Sequence, residues 1–132
     1  MPEEKDITYK NLYFKLNSEF DYLEVLIDDI NFSNQKSYIA SVSILLEYAL
    51  AVYPRYLILN KLNSKFRIIP ELYSFTNKNI INPLKSSGIR KIICLASEEE
   101  YQNHYKQIEI LEPFIKGFTS KNDIIRWISE DL

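Results

Sequence analysis

The last third of the chain alternates helix signals with short apolar runs, and this alternation limits the fold more than any other feature. Gly88 suits the end of a helix, and the apolar run of residues 89–95 follows it directly. Glycine is common there because it adopts the left-handed conformation without strain. Residues 114–118 predict a further short strand, and a terminal helix with Trp127 comes next. Strands that alternate with helices predict an α/β fold.

The first half of the chain predicts a β-hairpin followed by a long helix. Residues 12–16 and 22–27 are interpreted as two strands around a turn at residues 17–19. Residues 34–52 carry apolar side chains at helical spacing, with Ser33 or Asn34 as the cap. Residues 1–10 are polar, and we expect them to be a loose lead-in to a single domain spanning residues 1–132.

Prolines mark the centre of the chain. Pro54 prevents the long helix from continuing, and residues 55–59 then form a short apolar run typical of a buried strand. Pro70 suits the first position of a helix, and Asn82 with Pro83 predicts a second helix start before Gly88.

Serines predict the last two helix starts. Ser97 and Glu100 have the spacing of a capping box, and Ser120 with Asp123 repeats the cap signal. The apolar face expected for the last helix consists of Ile124, Trp127 and Ile128, with Leu132 as a further candidate. The resulting order, β-β-α-β-α-β-α-β-α, predicts a mixed sheet with helices packed on it.

Composition argues against several classes of function. The net charge of -2 argues against nucleic acid as a partner, because phosphate binding needs a clustered cationic face. Gly88 and Gly117 are the only glycines, too few for a glycine-rich phosphate loop. One cysteine fits a reducing compartment, and no run approaches the roughly 20 apolar residues of a membrane span. We expect a cytoplasmic protein with no signal peptide and no integral membrane segment.

The order of these motifs resembles that of the SpoIIAA-like, or STAS/SEC14-type, family of small α/β domains, especially its uncharacterised bacterial members. The matching segments are residues 55–60, 69–72, 80–85, 87–93, 118 and 124–128. The resemblance implies a mixed sheet of about four or five strands with an initial hairpin, flanked by about four α-helices. It also implies a non-catalytic role in protein interaction or signalling, whereas its SEC14 branch binds lipids.

One departure from the family concerns phosphorylation. Sporulation-type members carry Asp-Ser followed by Ser or Thr and Gly after the central strand. Here the segment from Asn60 to Ser64 has neither the Asp-Ser pair nor a glycine. The phosphoacceptor role is therefore not transferred to Ser64.

The loop of residues 60–69 is the leading candidate for a functional site. It leaves the carboxyl end of a central strand, where open α/β sheets place ligand crevices. The candidate residues for binding a ligand or partner are Asn60, Lys61, Ser64, Lys65, Phe66 and Arg67. Cations beside helix-start amides favour a small anion. The alternative is an ordinary solvated loop that Phe66 anchors.

The other candidate groups have simpler interpretations. We expect His104 on a solvent-facing helix surface and Cys94 in a buried strand, and one Cys with one His cannot supply a typical structural zinc site. Asp28 and Asp29 are interpreted as loop residues, with a weak Mg²⁺ site as the alternative. Residues 98–100 are interpreted as acidic partners of a helix dipole. We predict no catalytic residue, no metal and no cofactor.

These patterns leave three hypotheses. The first is a non-catalytic module that binds an unknown protein partner, or a second copy of the chain, through a sheet edge or helix face. The ten tyrosines of the chain are consistent with such an interface, but ordinary packing also explains them. The second is a small carrier of a lipid or acyl ligand, with a pocket lined by the helical stripe of residues 39–50 and by residues 68–69. The third is an enzyme that uses His104 with carboxylates.

Overall fold

A six-stranded mixed β-sheet forms the centre of the computed structural model, which describes residues 4–32, 34–64 and 76–131. In sheet order, which is also chain order, the strands are β1 (Glu4–Tyr9), β2 (Leu12–Asn17), β3 (Tyr22–Leu26), β4 (Tyr56–Asn60), β5 (Lys91–Leu95) and β6 (Ile115–Phe118). The pairs β1–β2 and β2–β3 are antiparallel, and β3 to β6 are parallel. The α/β class and the initial hairpin are confirmed, but the expectation of four or five strands is wrong.

The additional strand is β1, which occupies most of the segment expected to be a loose lead-in. Lys10 and Asn11 connect it to β2 with φ angles of 48° and 72°. A two-residue type I′ hairpin turn requires positive φ at both of these positions. Lys-Asn contains no glycine and is a weak turn signal, which is why the hairpin escapes sequence analysis. Ile7 and Tyr9 face inward from β1 and pack against the core.

Four helical segments lie in the described part of the chain. They are α1 (Gln35–Val52), α2 (Asn77–Ile81 continuing into Asn82–Ser87), α3 (Glu98–Glu100, Tyr101–Tyr105 and Lys106–Leu111) and α4 (Lys121–Asp131). The first three connect consecutive parallel strands and pack on one face of the sheet, as expected for crossovers of a single hand. Helix α4 packs on the opposite face.

The helix ends follow the predicted cap signals. Asn34, Ser97 and Ser120 each accept a hydrogen bond from the backbone N–H three residues further along the chain. Gly88 ends α2 with a φ of 99°, in the left-handed region. These local rules therefore predict correctly where α1, α3 and α4 begin.

Asn82 does not start a helix, and that prediction is wrong. It continues a helical run from the π-helical turn Asn77–Ile81. Proline inside a helix lacks an N–H and crowds the carbonyl of the preceding turn. A wide turn immediately before Pro83 accommodates that ring, so the proline lies within α2. The helix start predicted at Pro70 falls outside the described residues.

Side chains of the parallel strands alternate between two apolar cores. The larger core lies beneath α1, α2 and α3, and the smaller core lies beneath α4. The smaller one contains Ile124 and Ile128, as the spacing in α4 predicts. Trp127 is only partly buried there, with its ring centroid 5.8 Å from that of Tyr56.

Gly117 in β6 provides a test of how closely α3 packs on the sheet. A Cβ atom at this position would lie 2.9 Å from both Tyr101 Cδ1 and Tyr105 Cβ. We expect Gly117→Ala to lower the free energy of unfolding by about 1–3 kcal/mol in urea titrations, because α3 must shift to admit the methyl group. Thr119→Ala, at an exposed neighbouring position, is the control. Equal stability of the two variants would contradict the close contact.

Candidate functional site

An apolar cavity of about 140 Å³ lies between the sheet and helices α1 to α3. Helix α1 contributes Val42 and Leu45 from the predicted apolar stripe, and the strands contribute Leu57, Ile92 and Cys94. Residues 39 and 50 of that stripe do not line the cavity in the described region, because the buried face of α1 is centred on residues 38, 42, 45 and 49.

The cavity extends along the face of the sheet and reaches the carboxyl ends of the parallel strands. Ile27 follows β3, Lys61 follows β4, and Tyr38 comes from the beginning of α1; all three line the cavity. This is the edge at which the sequence predicts a ligand crevice, because open α/β sheets bind ligands where strands give way to loops.

The volume of the cavity is large for a void and small for a ligand pocket. Unfilled space in a core costs roughly 24 cal/mol per Å³, so about 140 Å³ corresponds to about 3 kcal/mol of stability. An engineered cavity of about 150 Å³ binds benzene, whereas drug-sized ligands occupy roughly 300–1,000 Å³. The space therefore suits a compact molecule and not a complete lipid.

Lys61 forms the polar end of the cavity. It is the one charged residue among the described lining residues. Its Nζ atom donates to the Tyr105 hydroxyl oxygen at 2.9 Å and lies 3.9 Å from Glu100 Oε2. The side chains of Lys61 and Glu100 are 11% and 10% exposed. The interpretation of Glu100 as a mere dipole partner is therefore incomplete, because its carboxylate is buried beside a lysine.

Tyr38 and Thr76 supply a second polar contact in the lining. Their hydroxyl oxygens lie 2.9 Å apart in a hydrogen bond. Burial raises the pKa of Tyr38 above its ordinary value, so the phenol remains neutral at physiological pH. This contact adds hydrogen-bonding capacity to the wall but no charge.

Cys94 lies in the cavity wall as a protonated thiol. It is buried in β5, as the sequence predicts. Burial raises its pKa to about 12, and Glu100 adds to this effect while Lys61 opposes it. The thiolate is the reactive form of cysteine, so this environment suppresses thiol chemistry.

The structure separates the candidate residues at the end of β4. Asn60 points to the opposite face, where its Nδ2 atom donates to Glu24 Oε2 at 2.8 Å. Glu24 also accepts a hydrogen bond from Lys121 Nζ at 2.5 Å. Asn60 and Lys61 therefore belong to different faces of the sheet, and only Lys61 reaches the cavity.

Ser64 joins two loops. Its buried hydroxyl donates to Asp29 Oδ1 at 3.0 Å, which ties the segment after β4 to the segment after β3. Asp28 Oδ1 accepts from the backbone N–H of Asn31 at 2.8 Å in the same turn. The candidates Lys65, Phe66 and Arg67, and the apolar residues 68–69, lie outside the described residues.

His104 differs from its expected environment. It is partly buried and not fully solvent-facing, and its ring contacts that of Tyr105 at a centroid distance of 5.4 Å and an interplanar angle of 84°. Across residues 4–32, 34–64 and 76–131, no three His, Cys, Asp or Glu side chains are grouped as a metal site. In the same part of the chain, no helix is both long enough and apolar enough to span a membrane.

Comparisons of the chain with protein-family models, curated proteins and solved structures find no match. The geometry therefore carries the interpretation. The contacts of Glu100 and Tyr105 with Lys61 are not evident from the sequence, because both residues come from a helix distant from Lys61 in the chain. One available signal was the alternation of Leu57, Leu59 and Lys61, which places a lysine at the end of an apolar row on β4.

Cys94 should report directly on the environment of the cavity wall. We expect its alkylation by iodoacetamide at pH 8 to be about a thousandfold slower in the folded protein than for an exposed thiol, because its pKa is near 12. An Ala40→Cys variant in a Cys94→Ala background supplies the exposed thiol. Equal alkylation rates would contradict the burial of Cys94.

The same shift has a defined pH dependence. The pKa of Cys94 is higher in the folded state, so its contribution to stability is complete below the unfolded value, about 8.5. That contribution should decrease as pH rises from there toward 12. Urea titrations of the protein and of Cys94→Ala across this range measure the difference.

Proposed function

We propose that this protein is a non-catalytic binding module that takes a compact apolar ligand into the cavity between the sheet and α1 to α3. The observation that carries the proposal is a cavity of about 140 Å³ that extends along the sheet to the carboxyl edge of the parallel strands, with a largely apolar lining and one charged residue. Such pockets bind ligands through apolar walls and a few placed polar groups.

The size of the cavity defines the ligand class. A volume of about 140 Å³ accommodates a single small ring or a short acyl chain. The proposal thus adopts the carrier alternative from the SEC14-type resemblance, but with a ligand much smaller than a lipid. A mixed sheet flanked by helices also supports the proposed SpoIIAA-like membership.

Side-chain chemistry in the described lining favours binding over catalysis. Cys94 is the one thiol there, and it keeps its proton because burial raises its pKa to about 12. No histidine or carboxylate accompanies it among the described lining residues. Nucleophilic catalysis needs a general base within hydrogen-bond reach of the nucleophile.

Toluene is a suitable probe because it is apolar and matches the cavity in size. At ten times its dissociation constant, mass action should add about 1.4 kcal/mol to the free energy of unfolding and raise the Tm by several degrees. Val42→Phe should abolish this shift, because the new ring fills the cavity from α1. Ala40→Phe, at an exposed position of the same helix, should retain it.

Two results would contradict the proposal. The first is no thermal shift of the unsubstituted protein at saturating toluene. The second is an unchanged shift in Val42→Phe, which would place the toluene elsewhere. Native mass spectrometry of gently purified protein complements this test, because a mass above 15.7 kDa would reveal a natural occupant.

The protein-interaction function is the second candidate, and one surface supports it. Ile110 and Leu111 at the end of α3 are 72% and 84% exposed. They lie just before β6, which is the last strand of the sheet in the described region. Adjacent exposed apolar side chains beside a sheet edge favour association with another chain.

Self-association through this surface is testable. We expect sedimentation analysis to show a dimer, and the double substitution Ile110→Ser with Leu111→Ser to shift it toward monomer by removing apolar contact area. Tyr53→Ser, at an exposed residue beyond the end of α1, is the control. A monomer of the unsubstituted protein at all concentrations would contradict dimerisation.

A further inference from the structure

The positive charge at the polar end of the cavity has a buried negative neighbour. Lys61 Nζ and Glu100 Oε2 lie 3.9 Å apart, and each side chain is only about a tenth exposed. The remaining polar groups of the described lining are neutral: the hydroxyls of Tyr38, Thr76 and Tyr105 and the thiol of Cys94. Glu100 is not itself among the described lining residues, but its carboxylate offsets the charge of Lys61 at this end of the cavity.

This balance determines which ligands the cavity can accept. Burying an ion in an apolar site is costly unless an opposite charge accompanies it. A carboxylate entering beside Lys61 would also approach Glu100, which offsets the attraction of the lysine. A neutral oxygen avoids that cost and still meets the N–H and O–H groups of Lys61 and Tyr105.

We infer that the cavity selects an uncharged compact molecule carrying one hydroxyl or carbonyl oxygen, oriented toward Lys61 and Tyr105, and rejects the corresponding carboxylate. This inference rests on the proposed function, because it assumes that the cavity binds ligands. The inferred preference for a neutral ligand is the opposite of the sequence-based expectation, in which the lysines and arginine of the loop of residues 60–69 bind a small anion. The selectivity arises from Glu100, which comes from a different helix.

Three ring probes of similar size separate the possibilities without any substitution. Toluene measures apolar fit, benzyl alcohol adds a neutral oxygen, and benzoate is an anion at pH 7.5. Isothermal titration of the unsubstituted protein should show benzyl alcohol binding about fivefold more tightly than toluene, as one added hydrogen bond predicts. Benzoate should bind at least about tenfold more weakly than benzyl alcohol.

Substitution of Glu100 tests the charge argument. Glu100→Gln keeps the shape of the side chain and leaves the charge of Lys61 without this carboxylate. Benzoate binding should then strengthen about tenfold, while toluene binding changes less than about twofold. The double substitution Lys61→Met with Glu100→Gln removes both charges together, and it should reduce the advantage of benzyl alcohol over toluene to near unity. Lys116→Met, in the strand β6, is the matched control.

The outcomes distinguish failure of this inference from failure of the proposed function. If none of the three probes binds the unsubstituted protein, the proposed function fails. If toluene binds but benzyl alcohol has no advantage, or benzoate binds most tightly, the cavity is a ligand site but the inferred selectivity is wrong. Unchanged benzoate binding in Glu100→Gln would also overturn the role assigned to Glu100.

Discussion

Alternation of side chains along β4 is the constraint on which the rest of the structure depends. In a pleated strand, successive side chains point to opposite faces of the sheet. Tyr56, Ile58 and Asn60 therefore face α4, while Leu57, Leu59 and Lys61 face the cavity. A shift of one residue in register would exchange these two sets and bring Asn60 to the position of Lys61.

On the opposite face of the sheet, polar contacts hold both ends of helix α4. Lys121 at the start of α4 pairs with the buried carboxylate of Glu24 in β3. At the other end of the helix, Asp131 accepts hydrogen bonds from Tyr56 and Arg90, which lower its pKa. With both ends fixed, α4 holds its apolar residues closely against the sheet.

Local sequence rules predict much of this fold because the relevant interactions are local. The caps at Asn34, Ser97 and Ser120 involve residues three positions apart, and the apolar runs of β4 and β5 are short and continuous. Strand β1 escapes prediction because its turn, at Lys10 and Asn11, uses positive φ without glycine. The wide turn before Pro83 likewise depends on packing that one helix cannot reveal.

The candidate site was harder to predict, for a physical reason. The sequence identifies Lys61 at the correct edge of the sheet, but its partners Tyr105 and Glu100 come from α3. A cavity is the space that three helices leave when they pack on a sheet, and no single segment encodes its volume. The local sequence around Glu100 is that of an ordinary helix start. Its burial depends on tertiary packing, so the local sequence does not reveal it.

The cavity also gives the folded protein a larger molar volume than its atoms require. A space of about 140 Å³ per molecule corresponds to roughly 84 mL/mol, comparable with the whole volume change of unfolding in many proteins. Hydrostatic pressure favours the state of smaller volume, so compression acts against the empty folded form. A ligand in the cavity removes most of this difference in volume between the folded and unfolded states. The resistance of the fold to pressure therefore depends on whether the cavity is occupied.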